Sequence, residues 1–499
     1  MNKSTTLSVT FINPPFLKNY SRQSRSPCVA KSGTIYYSYY LAYAGVAAEL
    51  AGACVSYIDA IAHELSSADC MSRLQGISPE LVVIDTSTPS IISDIKFAAE
   101  IKKYLPNATV LCVGTFPSKN TKEFFRIVNT QDYLIDGCLV GEYEETIYEL
   151  LVRPQIIAER LQHDGLIWTN GFSPNSVTSV LRLTSEEFLD RLGFVSEFYK
   201  RHLGERGIKK HFYASITWPY LQILTSRGCP YKCTFCNIPS IGSYRTRSIQ
   251  SVVDEFLYIE RELPYVSEVF IEDDTFPINK KRTIELCSAL IDAGLNLKWS
   301  CNARVNTDEE TLSWMRRANC RLTCVGFESP NLNALNGVIK KSTSSQQDRY
   351  MELANKTGLK VNGCFILGLP HDTPESIQET ITYAKKLLPN TAQFYPHMVY
   401  PGTGSFNWAE QNNLLEHKDW SRWLTAEGFH NTPLKLNGMT SKDLLEWADR
   451  GRLQFYTNPH FLLRMALQAL SSLEEFKRMF IAGRSFFPLL LRYILNRNT

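Results

Sequence analysis

Three cysteines stand close together in the run Cys229-Pro-Tyr-Lys-Cys233-Thr-Phe-Cys236, at a three-then-two spacing. They follow an apolar run over 221–225, and Arg227, Gly228 and Pro230 make a turn, so the thiols are expected on a loop leaving a strand end. Iron–sulfur clusters are held by Cys thiolates, usually four. Three on one short loop can ligate three irons of a [4Fe–4S] cluster and leave the fourth iron open to another molecule. A structural zinc site would need a fourth thiolate or a His close by. The next cysteine, Cys287, falls within an expected helix, and no His lies near the loop. The other ten cysteines read as small buried hydrophobes.

Other chemistry-bearing residues recur just after short apolar runs. The run 268–271 ends in Glu272-Asp273-Asp274, 297–300 in Cys301-Asn302-Ala303-Arg304, and 322–327 in Glu328-Ser329. Runs 360–367 and 392–395 lead to Gly368-Leu369-Pro370 and to His397. Helices are expected between them, over 249–262, 280–293, 308–318, 346–357 and 374–388. Strands alternating with helices across short turns require a parallel sheet, and six such units can curl into a partial (βα)6 barrel over 216–405. Chemistry in such barrels gathers at the C-terminal strand ends. The thiols, the acidic run, Asn302, Arg304 and Glu328 would then face one cavity.

Residues 1–150 repeat the alternation on a smaller scale. Strands are expected over 7–12, 54–58, 81–84 and 109–113, with a last one from 133–135 or 138–140, and helices over 39–50 and 93–104. This is the pattern of a doubly wound, Rossmann-like α/β domain, whose ligands bind beyond the carboxyl ends of its strands. Asn13, Asp59, Thr86, Ser87, Thr88 and Gly114 occupy those ends. A connecting region over 151–215 holds an expected hairpin near 168–171 and helices over 185–192 and 194–202; His202 and His211 read as structural or exposed. The C-terminal region, 406–499, is expected to be helical over 441–456 and 459–470. Its end, 476–499, carries five basic residues, no acid and the apolar-aromatic run 486–495. Such a segment suits peripheral contact with an anionic membrane, and equally a helix packed on the barrel.

The 499 residues suggest about three domains, and a 44% hydrophobic share gives a sizeable core. A net charge of +3 leaves no global nucleic-acid footprint, and no nucleic-acid partner is expected. The N-terminus lacks the apolar core of a signal peptide, and no apolar run reaches the ~18 residues of a membrane span. Thirteen cysteines without that leader fit a reducing, cytoplasmic setting.

The Cys-x-x-x-Cys-x-x-Cys loop ahead of six βα units resembles the radical S-adenosylmethionine (SAM) enzymes. Asn13-Pro-Pro15, Thr86-Ser-Thr88, Val113-Gly114 and Gly141-Glu-Tyr-Glu144 resemble the cobalamin-binding domain that precedes the barrel in one branch of that superfamily. The resemblance implies a [4Fe–4S] cluster on Cys229, Cys233 and Cys236, with SAM on its open iron. It also implies Glu272, Asp273 and Asp274 near the SAM amino group, and Arg304 and Glu328 near carboxylate and ribose. Cobalamin would lie over Asn13, Thr86, Ser87 and Gly114. The Asp-x-His-x-x-Gly motif that supplies a cobalt ligand elsewhere is absent; His63 reads as a surface helix residue.

Tyr244-Arg-Thr-Arg-Ser248, Ile271-Glu-Asp-Asp-Thr-Phe276, Val325-Gly-Phe-Glu-Ser329 and Gly363 to Pro370 are similar to the hopanoid-associated radical SAM proteins. Pro330 and His371-Asp372 depart from that pattern on cavity loops. The implied activity is modification of an sp3 carbon in a lipid or natural-product intermediate, by methyl transfer or by ring contraction or oxidative cyclisation. The reductant would be a flavodoxin or ferredoxin. A non-catalytic metal-cluster scaffold is the alternative from outside enzymes.

Overall fold

The computed structural model describes residues 7–170, 182–238 and 243–471, together with Phe476, Met479, Phe480 and Gly483. The first sheet forms from β1 (Ser8–Asn13), β2 (Cys54–Asp59), β3 (Leu81–Thr86), β4 (Thr109–Gly114), β5 (Gly137–Leu139) and β6 (Leu166–Trp168). Its order is β2-β1-β3-β4-β5-β6, parallel except for β6 against β5. β3 is buried on both faces, as its unbroken Leu-Val-Val-Ile run requires in a sheet covered by helices. The last parallel strand is β5, centred on Cys138; residues 133–135 form no strand. The hairpin expected near 168–171 ends at Gly171, outside the described residues.

The second sheet holds β7 (Tyr220–Ile223), β10 (Glu268–Ile271), β11 (Lys298–Ala303), β12 (Cys320–Glu328), β13 (Lys360–Leu367) and β14 (Thr391–Pro396). The order β14-β13-β12-β11-β10-β7 is parallel throughout, and β7 and β14 are not paired with each other. The expected six βα units are present as an open barrel. Between β7 and β10 a two-stranded ribbon, β8 (Ser226–Arg227) with β9 (Arg245–Thr246), brackets the cysteine loop.

The helix Tyr39–Leu50 joins the two halves. Apart from Glu49 it is apolar, and Tyr39 and residues 41–48 are buried, as a helix between two packed layers requires. Leu41, Ala44 and Ala48 pack into the core under the first sheet. Tyr43, Val46 and Ala47 join the core that continues through Phe198 into the barrel. Gly45 is placed so that any Cβ would overlap the Phe198 ring. His211, from the connecting region, is fully buried; it stacks on Tyr37 (centroids 3.8 Å apart) and meets Asp59 at 3.2 Å. His63 lies on a turn after β2 rather than on a helix, its Nδ1 on the Asp59 carbonyl at 2.9 Å. The expected helix at 459–470 is the helix Pro459–Ser471. The basic end over 476–499 lies outside the described residues except for the four named above.

Candidate active site

The strand ends of the two sheets face each other across a cleft of about 670 Å³, counting the part open to solvent. Asp85, Thr86, Gly114 and Tyr143 line it from the first sheet, and Asn237, Ile238 and Asp274 from the barrel. Arg22 and Arg25, on the long segment after β1, close one side.

Cys229 and Cys233 are buried and Cys236 half-buried. The thiols meet Thr275 Oγ1 (Cys229, 3.8 Å) and Arg304 Nη1 (Cys233, 3.8 Å). Arg304 is held by the Lys340 carbonyl at 2.6 Å and stacks on Tyr231, 3.7 Å from its centroid. Burial pushes the Cys236 thiol up to about 11, against the pull of the Arg25 charge. Among the described residues no three His, Cys, Asp or Glu side chains converge on a single ion. Two guanidiniums near the loop suit the negative charge that a thiolate-bound cluster carries.

The acidic run after β10 divides into different jobs. Asp273 is fully buried and committed: it accepts from Thr225 N (2.6 Å), Thr225 Oγ1 (2.6 Å) and Ser226 Oγ (2.5 Å). It ties β10 to the start of the ribbon. Asp274 accepts from Gly228 N at 3.1 Å and faces Arg25 at 3.7 Å. Glu272 accepts from Gln222 at 2.9 Å and faces Arg25 at 3.5 Å. Burial raises the Glu272 carboxyl to about 7, with Arg25 opposing and Asp274 adding. Asp274 lines the cleft, where it can meet a cationic group, and Glu272 lies buried beside Arg25, whereas Asp273 has little capacity left. Asn302 donates to the Asp273 carbonyl at 3.0 Å.

Glu328 sits in left-handed backbone (φ 64°) at a bulge in β12, and accepts from Lys340 at 2.7 Å with both side chains buried. Such strain persists only where surrounding structure holds it. Asp372, one of the sequence departures, accepts from Gly368 N and Leu369 N (3.0 and 2.9 Å) and so closes the turn after β13.

In the first sheet, Thr86 and Gly114 line the cleft, whereas Asn13 and Ser87 are buried and do not. Asn13 bridges Asp59 (2.8 Å) and Arg22; Ser87 bonds Tyr20 and Ser90 at 2.8 and 2.7 Å. Gly114 has φ 115°, and a Cβ there would overlap the Thr86 carbonyl. Asp85, one residue before the expected Thr86, accepts from Gln23 at 2.7 Å, but its Oδ1 is buried without a partner. Burial lifts its carboxyl to about 7, Arg22 opposing. The Tyr143 hydroxyl is likewise buried and unpartnered. A glycine-floored cleft with orphaned polar groups fits a ligand bearing amides or hydroxyls. Arg22 and Arg25 escaped the sequence reading because nothing in the polar run 21–26 marks a strand end.

The Gly141-Glu-Tyr-Glu144 run holds the cysteine ribbon from below. Arg245 grips Glu142 with two bonds of 2.8 Å, and Arg227 donates to Glu144 at 2.6 Å. Burial opposes ionisation of Glu142, but the Arg245 bonds and the Arg227 charge outweigh it and hold its carboxyl below the usual range.

An open six-stranded barrel with three thiols at the end of its first strand, behind a doubly wound domain, defines the radical SAM class of protein. Residues 223–384 match the family model described as Radical SAM superfamily. The barrel of this chain is a radical SAM domain, the part of the chain that the model covers. It is similar to an uncharacterized methyltransferase of Pyrococcus horikoshii, 28% identical over 413 residues (82% of this chain, 86% of the relative). It is also similar to the anaerobic magnesium-protoporphyrin IX monomethyl ester cyclase of Rubrivivax gelatinosus, 24% identical over 415 residues (82% and 71%). In fold it matches the radical SAM methyltransferase TsrM of Kitasatospora setae, solved with cobalamin and a [4Fe–4S] cluster. The TM-score is 0.63 at 18% identity, over 96% of this chain and 99% of that one.

Proposed function

We propose that this chain is a cobalamin-dependent radical SAM enzyme that transfers a methyl group to an sp3 carbon of a lipid or natural-product intermediate. The observation that carries the reading is the shared cleft: the glycine-floored strand ends of the first sheet open directly onto Asn237 and Ile238, just past Cys236. A cofactor on either wall would meet a substrate held between them. When bound, the cluster with SAM supplies radical chemistry at unactivated carbon, and cobalamin supplies a methyl carrier.

The chain's own residues prepare that chemistry. Cys229, Cys233 and Cys236 would hold the cluster, with Arg304 beside Cys233. Asp274 offers a carboxylate oxygen to an ammonium group, and Arg25 balances its charge and that of Glu272 meanwhile. Thr86, Gly114 and Asp85 form the floor on which cobalamin would rest. No residue of an Asp-x-His-x-x-Gly motif is present to ligate cobalt. Electrons would come from a flavodoxin- or ferredoxin-like donor.

Anaerobically reconstituted protein should display cluster and corrinoid absorption together and form 5′-deoxyadenosine from SAM. Absence of SAM cleavage with substrate present overturns the enzyme reading. Similarity to a cyclase favours a second reading, oxidative cyclisation. Product mass separates the two: a gain of one methylene means methylation.

A further inference from the structure

Surface helices of globular proteins bury their apolar stripe and turn polar groups outward. Helix Pro459–Ser471 buries only part of its apolar surface. Its inward side carries Phe461, packed on Phe455 and Tyr456 with centroids 5.0 and 5.1 Å apart. The same side carries Arg464, which donates to the backbone carbonyls of Leu388 (2.5 Å) and Pro389. Met465 packs against the core on that side as well. The outward side is a stripe of Leu462, Leu463, Ala466, Leu467 and Leu470, at i, i+4 spacing, with the exposed His460 at its start. Its leucines are 52, 62, 60 and 85% exposed. Phe476 and Phe480 beyond it are also exposed.

Charge is distributed to match. Residues 459–499 hold six basic and two acidic side chains, whereas residues 1–458 hold 47 basic and 48 acidic. The whole excess positive charge of the chain therefore lies in its last 41 residues.

We propose that this helix docks on an anionic lipid surface, with its leucine stripe in the acyl–headgroup boundary. Apolar burial and electrostatic attraction reinforce each other in such attachment. A second copy of the chain would bring two cationic ends together, whereas an anionic surface neutralises them. No described helix is long and apolar enough to cross a membrane, so attachment lies in the interface plane. The inference stands independently of the reaction proposed above.

The test is co-sedimentation of the full chain with phosphatidylcholine vesicles, with and without about a quarter phosphatidylglycerol. Wild type should partition at least ~10-fold more strongly to the anionic vesicles, less so as salt rises. Leu463→Ser/Leu467→Ser/Leu470→Ser should lower that partition at least ~10-fold, with little change in thermal midpoint because the three side chains are exposed. Arg484→Gln/Arg492→Gln/Arg497→Gln should abolish the preference for anionic lipid. Equal partition of wild type and leucine variant, or none by wild type, overturns the proposal. So does a wild-type dimer in light scattering that the leucine variant dissociates without any vesicle binding, which would assign the stripe to a second copy.

Discussion

Arg227, two residues before Cys229, donates to Glu144 Oε1 at 2.6 Å across the seam between the two sheets, both side chains essentially excluded from solvent. The guanidinium also lies over the rings of Tyr40 and Tyr43, 5.1 and 5.4 Å from their centroids. Removing one partner of a buried pair leaves an uncompensated charge, at a cost of roughly 3–5 kcal/mol. Glu144→Ala should lower the stability measured by urea unfolding by that order, and lower the iron bound per chain after reconstitution. Glu145→Ala, on the exposed side, should change stability by less than about 1 kcal/mol.

Packing at the seam is tested at Gly45. A methyl group there overlaps the buried Phe198 ring, which sits in a filled core. Gly45→Ala should cost about 1–3 kcal/mol through overpacking, despite the better helix propensity of alanine. Pairing it with Phe198→Leu should restore part of the loss, a coupling that a double-mutant cycle reads directly.

At the floor of the cleft, Gly114 combines φ 115° with contact against the Thr86 carbonyl. Gly114→Ala must move the β4 turn, with strain on the order of 1–2 kcal/mol. Under the cobalamin reading, corrinoid retained after gel filtration should fall at least ~10-fold while iron content stays at the wild-type level. Loss of both together would mean that the variant has disturbed the whole seam.

Two histidines, His397 fully buried and His430 half-buried, set the acid limit. His397 donates from Nδ1 to the Gly368 carbonyl (3.1 Å), which can only accept, so Nε2 accepts from Ser405 Oγ (3.0 Å). His430 donates to the Ser26 carbonyl at 3.1 Å. Burial lowers both rings from 6.5 to about 4, so the folded protein keeps them neutral. The unfolded chain takes up those protons first. Their contribution is present above pH 6.5 and is lost as pH falls toward 4, by up to ~3 kcal/mol for His397 and less for the half-buried His430. The thermal midpoint should therefore drop between pH 7 and pH 5, and His397→Gln should flatten that slope.

The alternation of short apolar runs with amphipathic stretches was enough to place both sheets. Helices at 39–50 and 249–262 and strands at 268–271 and 360–367 fall where the sequence pattern puts them. Local periodicity and turn chemistry decide those elements, and both are written along the chain. The cysteine spacing was legible for the same reason, since one loop carries all three thiols.

Charge pairing was not legible. Glu142 and Glu144 meet arginines 103 and 83 residues away. Asp273 looks like its neighbours Glu272 and Asp274, yet only the fold commits it to Thr225 and Ser226. Arg25 faces the acidic run only because the segment after β1 crosses the seam. Sequence alone determined that three thiols sit at the end of the first barrel strand behind a doubly wound domain. Tertiary structure decided which carboxylates stay available beside those thiols, because burial and long-range partners, rather than residue type, determine what a charged group is free to do.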